Sequence, residues 1–305
     1  MFQSDRIQFE RADLHQLTLQ HTVCDLHFHS TYSDGLSDVH SIAQRARQLG
    51  IGIAITDHNE IRGALEIEQH SEVLSIPGIE VTSSEGSHLL LYFYHSGQLK
   101  RFYQQNVVPH MGHGVMSSLD VSMAQLIERA RDYHCLVVFP HPYSAAYTGV
   151  YNAQFSKAQL HQLLDAADGV EVINANNLNK WNLKCAVLGF NLGKNMVGGS
   201  DGHALSHMGR VVSFVQCPKN RHDFLEAIRN NANKVIGKEI SLIGKLTSNG
   251  LKFRSNVSNC RDLMGKNLRY GRALAAVKSQ SMRSHFRRFI LAHKKQPVLR
   301  NPIGL

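Results

Sequence analysis

Six short stretches of this 305-residue chain carry the side chains that could do chemistry. D-L-H-F-H-S-T-Y-S-D-G holds His27, His29 and Asp34, T-D-H-N holds His58, and P-G-I-E-V-T holds Glu80. G-S-H-L-L-L-Y holds His88, V-V-F-P-H-P-Y holds His141, and G-G-S-D-G-H-A holds Asp201 and His203. On a strand, residues i and i+2 face the same side, so His27 with His29, and Asp201 with His203, can each reach one ion together. A lone histidine such as His58 or His88 serves a structural role as readily as a chemical one. Nine ligand-type residues recurring at the ends of apolar runs and framed by small residues have no comparable bland account. Imidazole and carboxylate without thiolate suit Mn, Zn or Fe. Nine ligands are too many for one divalent ion and fit two or three. Clustered ions suit phosphoryl chemistry: they bind phosphate oxygens, acidify a bridging water to hydroxide near neutral pH and stabilise the leaving oxygen. The chain has no G-x-S-x-G elbow and no P-loop to suggest another route. No lysine stands at a strand end as a candidate for carboxylation, which disfavours an amidohydrolase-like C–N hydrolase.

These residues need elements to position them. V-C-D-L-H-F-H (23–29) reads as a strand, and 37–50 follows as a helix with Val39, Ile42, Ala43, Ala46 and Leu49 on one face, Ser37 as N-cap and Gly50 as terminator. Strands are expected at 51–56, 73–82, 88–94, 135–140, 169–174, 196–201 and 210–215, with Pro77-Gly78 marking a bend. Helices are expected near 60–70, 120–133, 156–167, 178–190 and 219–230. Repeated strand–helix units predict an α/β fold with a parallel sheet or a β/α barrel. The barrel is preferred because its strand ends converge on one face, where chemistry is normally sited.

Composition sets the remaining bounds. The chain is 43% hydrophobic and 19% charged, which is globular rather than disordered. Its 19 histidines are heavy for this length and favour a metal reading. Five widely spaced cysteines (Cys24, Cys135, Cys185, Cys217, Cys260) without a C-x-x-C pair argue against a disulfide framework and a zinc ribbon. They suit a reducing compartment, so a cytoplasmic location is expected. The first residues lack the apolar core of a secretory signal, and the longest apolar run, Leu89–Tyr94, is too short to span a membrane. Charge is unevenly spread. Residues 238–305 carry 15 Lys+Arg against 2 acidic residues, and the preceding 237 carry 18 against 22. Three segments are therefore expected: 1–21, a catalytic body over 22–237, and a basic, mostly helical extension over 238–305. Met282, Phe286, Phe289 and Ile290 share one face of that extension, with Arg283, Arg287, Arg288, Lys294 and Lys295 elsewhere. Such a helix can dock on the body, hold RNA or DNA electrostatically, or lie on an anionic membrane surface.

The ordered series H-x-H…S-D-G, T-D-H, G-x-E, H-L-L, P-H-P and S-D-x-H resembles the PHP (polymerase and histidinol phosphatase) family over about residues 22–235, in its small metal-dependent phosphoesterase branch. The resemblance implies a distorted (β/α)7 barrel with a trinuclear metal centre. It implies one ion held by His27, His29, Glu80 and Asp201, a second by Asp34, His58 and His203, and a third by His88 and His141, with Glu80 bridging. Asp34 stands where some members have histidine.

The expected activity is hydrolysis of a phosphate ester by a water or hydroxide that the ions bridge, on small phosphomonoesters or nucleotides. Asp201, Glu80 and Arg210 are the residues expected to carry catalysis, Arg210 as a clamp on the substrate phosphate. Asp25 and Asp57 adjoin ligand histidines and can orient imidazole N–H groups. Tyr143, His207 and Asn174 are further pocket candidates, and His110 and His113 lie in a loop that can cover the site. Glu85 and His88 face opposite sides of a strand and are not paired. Two other readings stay open: an exonuclease tethered by the basic extension, and a nucleic-acid-binding or regulatory module that keeps its metals for folding.

Overall fold

A computed structural model describes residues 5–144, 148–151 and 154–240. The expected extension beyond residue 240, with its helix over 272–293, lies outside the described residues. The chain opens with β1 (Ile7–Gln8), α1 (Leu14–Gln20), β2 (Thr22–Phe28), α2 (Val39–Leu49), β3 (Gly52–Ile55), α3 (Arg62–Glu66), β4 (Gly78–Thr82) and β5 (His88–Phe93). It continues through α4 (Ser96–Phe102), α5 (Met123–Ala130), β6 (Cys135–Phe139), α6 (Lys157–Ala166) and β7 (Gly169–Asn174). Last come α7 (Asn179–Leu192), β8 (Asn195–Gly199), β9 (Val211–Val215), α8 (Arg221–Arg229) and β10 (Lys234–Gly237).

Local chemistry accounts for these elements. Helix α2 buries Val39, Ile42, Ala43 and Ala46 on the face expected, but its N-cap is Asp38, not Ser37. The Asp38 carboxylate accepts from Ser41 N at 2.7 Å, a stronger cap than a hydroxyl beside the helix dipole. Gly50 ends the helix at φ 70°, a conformation that a side chain would strain. Helices α5 and α6 each start with a capping box, Ser122 with Gln125 and Ser156 with Gln159. Pro77 and Gly78 delay β4 to residue 78, later than the expected 73, since the preceding segment pairs only through an isolated bridge from Ser75 to Ile53.

The strands form two mixed five-stranded sheets, β1-β10-β9-β2-β3 and β4-β5-β6-β7-β8. The first pairs β2 parallel to β3 but antiparallel to β9, and β10 antiparallel to β9. The second pairs β4, β5 and β6 antiparallel, then β6, β7 and β8 parallel. No closed barrel forms among the described residues, which corrects the expected (β/α)7 barrel. Where the sheets meet, only isolated bridges connect them: Phe28 to Gly202, Ile53 to Ser75 and His58 to Glu80. Asn59 (φ 46°) and Asp201 (φ 47°) leave the extended region beside two of these bridges, His58–Glu80 and Phe28–Gly202. Strand β8 instead packs beside β9 through a side chain, the Ser213 hydroxyl accepting from Gly198 N at 2.9 Å.

Candidate metal centre

The strand ends gather the nine residues at one edge. His27 lies in β2, with His29 and Asp34 just beyond it, and His58 follows β3. Glu80 lies in β4, while His141 follows β6 and Asp201 and His203 follow β8. His88 is the first residue of β5. Because β5 runs antiparallel to both neighbours, its start lies beside the ends of β4 and β6, with Thr82 opposite His88. Glycines make the approach of β8 possible. A Cβ on Gly199 would lie 2.4 Å from the Cβ of His27 and 2.7 Å from its backbone nitrogen. This gives the G-G before S-D-G-H a physical reason: side chains there would push β2 and its histidines away.

Glu80 is the hub. Its Oε1 lies 2.9 Å from His88 Nδ1 and 3.2 Å from His141 Nε2. Its Oε2 lies 3.0 Å from His58 Nδ1 and 3.5 Å from the Nε2 atoms of both His27 and His29. Asp201 Oδ1 is 3.2 Å from His29 Nε2, 3.6 Å from His27 Nε2 and 3.8 Å from His203 Nδ1. Asp34 meets His203 Nε2 at 3.0 Å, His29 Nδ1 at 3.7 Å and His58 Nε2 at 3.8 Å. Three groups have ligand atoms lying mutually within 4.8 Å: His29, Asp34, His58 and His203; His27, His29 and Asp201; and His58, Glu80 and His88. His141 joins through Glu80.

The donor set passes a direct test of fitness for metal. His27 Nε2, both ring nitrogens of His29 and Glu80 Oε2 are buried with no hydrogen bond. A folded protein rarely leaves so many polar atoms unsatisfied in one place unless an ion satisfies them. Titration behaviour agrees. Burial alone would raise Glu80 and Asp201, but His88, His58 and His27 hold Glu80 well below the usual carboxylate range, and His27, His29 and His203 do the same for Asp201. Burial would depress His27, yet Asp201, Glu171 and Glu80 outweigh it and push that imidazole well above its ordinary value. His29 and His141 are raised against burial by the same kind of neighbour, Asp201 for the one and Glu80 for the other. For His58 burial prevails, and the ring is held well below its ordinary value despite Glu80 and Asp34.

The surrounding residues depart from several expectations. Neither Asp25 nor Asp57 is seen bonded to a ligand imidazole. Asp25 accepts from Ser200 N at 2.9 Å, Ser200 Oγ at 2.6 Å and Gly209 N at 2.9 Å, fastening the segment that carries Asp201. Burial raises it to about 6, against the pull of those bonds. Asp57 accepts from Ser30 N at 2.7 Å and from the hydroxyls of Ser30 and Ser33 at 2.6 Å each, shaping the turn that presents Asp34. Arg210 is exposed and its Nε donates to Ser206 O at 3.4 Å. Tyr143 stacks on Tyr151 at 4.3 Å, His110 bonds Arg129, and Glu85 accepts from Met123 N at the start of α5. His113 is exposed and His207 buried.

Two residues near the centre escaped the sequence reading. Asn59 donates to Val115 O and Ser117 O at 2.8 Å each and accepts from Thr82 N, pinning the 115–117 segment beside β4. Glu171 is buried in β7 and lies 3.1 Å from His27 Nδ1. A glutamate inside the otherwise apolar G-V-E-V-I-N was the available signal, because a charge in a fully buried strand requires partners.

Comparison with known proteins agrees with this geometry. Residues 25–138 match the PHP domain and residues 180–233 the PHP-associated domain. It is 29% identical over 167 residues to an uncharacterized protein of Methanocaldococcus jannaschii, covering 50% of this chain and 81% of that one. Its fold is similar to that of a two-domain Bacteroides vulgatus protein containing a predicted PHP-like metal-dependent phosphoesterase. That match has a TM-score of 0.53 and 18% identity over 81% of this chain and 73% of the other. Endonuclease Q, in complex with a duplex bearing an abasic lesion, is similar at a TM-score of 0.59 and 19% identity, over 72% of this chain and 60% of that one. Among the described residues no helix is long and apolar enough to cross a membrane.

Proposed function

We propose that the chain is a metal-dependent phosphoester hydrolase acting on small phosphomonoesters or nucleotides, with Mn, Zn or Fe ions held by the nine residues. The observation that carries this reading is the convergence of five imidazoles on the Glu80 carboxylate, with buried nitrogens and an oxygen left without hydrogen bonds. His29 presents Nε2 to Asp201 at 3.2 Å and Nδ1 to Asp34 only at 3.7 Å, which favours grouping it with His27 and Asp201. Asp34, His58 and His203 then form a second set, and His88 and His141 a third, with Glu80 between them. Bound there, two or three divalent ions supply acidified water and neutralise phosphate charge.

The chain's own residues decide access and orientation. Of the nine side chains Asp201 is the most exposed, at 16% against 9% or less for the others, so substrate phosphate approaches over Asp201. Buried carboxylates held ionised by neighbouring histidines are ready to take cations in exchange for the histidine protons. The test is a panel of phosphomonoesters, nucleotides and oligonucleotides assayed with Mn, Zn and Fe, alongside elemental analysis and the Asp201→Asn variant. Metal-dependent release of phosphate that Asp201→Asn abolishes is the expected result. A metal-loaded protein that cleaves no phosphoester refutes the proposal.

A further inference from the structure

Strand β7 lies inside the second sheet, between two strands whose ends carry His141, Asp201 and His203, yet it contributes none of the nine residues. Its polar groups are nonetheless aimed at them. Three N–H groups converge on the two oxygens of buried Glu171: His27 Nδ1 at 3.1 Å on Oε1, and His141 N and Asn174 Nδ2 at 2.8 Å each on Oε2. Asn174 Nδ2 also lies 3.3 Å from Asp201 Oδ2, while Asn174 Oδ1 accepts from the backbone nitrogens of Asn176 and Asn177. Asn182 on α7 holds the Asn174 backbone from both sides, accepting from its N at 3.2 Å and donating to its O at 2.9 Å. The N-A-N-N segment is thereby locked to β7 and α7.

We infer that Glu171, braced by Asn174, is a positioning residue that fixes the tautomer of His27 and the placement of His141 and Asp201 for metal; this rests on the metal-centre reading above. An acceptor-only carboxylate obliges His27 Nδ1 to carry the proton. The lone pair then sits on Nε2, the atom that faces Glu80 and Asp201 at 3.5 and 3.6 Å. A glutamine cannot reproduce this. If its oxygen serves His141 and Asn174, its NH2 faces His27 Nδ1, and the ring is driven to the Nε2–H tautomer, which has no lone pair for an ion. If it is turned round, the NH2 meets two donors. Partners that orient ligand imidazoles commonly alter metal affinity or activity by about 10- to 100-fold.

The full-length chain is stripped and titrated with zinc against a chromophoric chelator as wild type, Glu171→Gln and Glu171→Asp. Melting of each metal-free protein is followed in parallel. The zinc-loaded forms are compared by long-range proton–nitrogen spectra of labelled histidine, with His27 assigned through His27→Gln. Glu171→Gln is expected to lose about 10- to 100-fold in zinc affinity and the Nδ1–H signature of His27. Glu171→Asp, which keeps an acceptor-only carboxylate, is expected to retain that signature and recover part of the affinity. If Glu171→Gln does not fold, the Asp variant carries the test, with affinity expected below wild type. A lower melting temperature with unchanged zinc affinity and unchanged His27 spectrum overturns the positioning role and leaves the metal reading standing. An Asp variant no better than Gln overturns it equally. A wild-type chain that takes up no zinc, manganese or iron overturns both.

Discussion

Loading the centre should expel protons, and the structure says from where. An imidazole at its ordinary value near 6.5 is about one-quarter protonated at pH 7. His27, His29 and His141 are all held above that value by the carboxylates around them, so in metal-stripped protein at pH 7 each ring carries a second proton more often than that. A ligand nitrogen must give its proton up. His58 is kept neutral by burial and contributes none; Glu80 and Asp201 are already ionised. Filling the centre at pH 7 should therefore release from these three rings more than the roughly three-quarters of a proton that three ordinary imidazoles would give, each released proton making apparent affinity rise tenfold per pH unit, or about 1.4 kcal/mol. Calorimetric titration of stripped protein with zinc, in two buffers of different ionisation enthalpy, measures the number directly. Release of no more than about three-quarters of a proton would show that the carboxylates do not hold these histidines charged, and the electrostatic account of the cluster would fail. A linked stability effect has a definite sign. Folded values raised above 6.5 give these three groups a stabilising contribution that is full below pH 6.5 and is lost as pH rises through the folded values. His58 opposes them, its contribution being lost as pH falls below 6.5.

Three further outcomes test the scaffold around the site. Gly199→Ala places a Cβ 2.4 Å from that of His27, so it should cost about 1–3 kcal/mol or more in denaturant unfolding and lower metal content. Asp57→Asn weakens three short bonds to Ser30 and Ser33; a loss of about 2 kcal/mol in the metal-free protein, with weaker metal binding through Asp34, is the expected pair of results. Arg210→Ala, at an exposed residue bonded only weakly to Ser206 O, should leave kcat and KM for a phosphomonoester within about threefold, about 0.7 kcal/mol, of wild type; a KM raised tenfold or more would restore Arg210 as a phosphate clamp.

How far the sequence reached is clearest at particular residues. The i, i+2 spacing of His27 with His29 and the order of the six stretches were enough to name all nine residues that the fold brings together. Strand identity could carry this, because residue type and period are local properties. The amphipathic face of α2 was legible for the same reason. Pairing was not. The apolar runs of β4, β5 and β6 do not say that they run antiparallel, and a pattern of strand then helix says nothing about whether the last strand closes onto the first. In the fold the two sheets meet through isolated bridges, among them His58 to Glu80 and Phe28 to Gly202.

The division of labour among the buried acids was likewise a tertiary decision. By sequence, Asp25 and Asp57 looked like partners for neighbouring imidazoles because they adjoin them along the chain. In the fold their carboxylates are taken up by other partners, Ser200 and Gly209 for Asp25 and Ser30 and Ser33 for Asp57. The acid that does reach His27 is Glu171, 144 residues distant in the chain and adjacent only because β7 lies beside β6 and β8. The sequence by itself determined which side chains could bind metal; tertiary structure alone decided which of their neighbours hold them, because hydrogen-bond direction depends on contacts that no local spacing encodes.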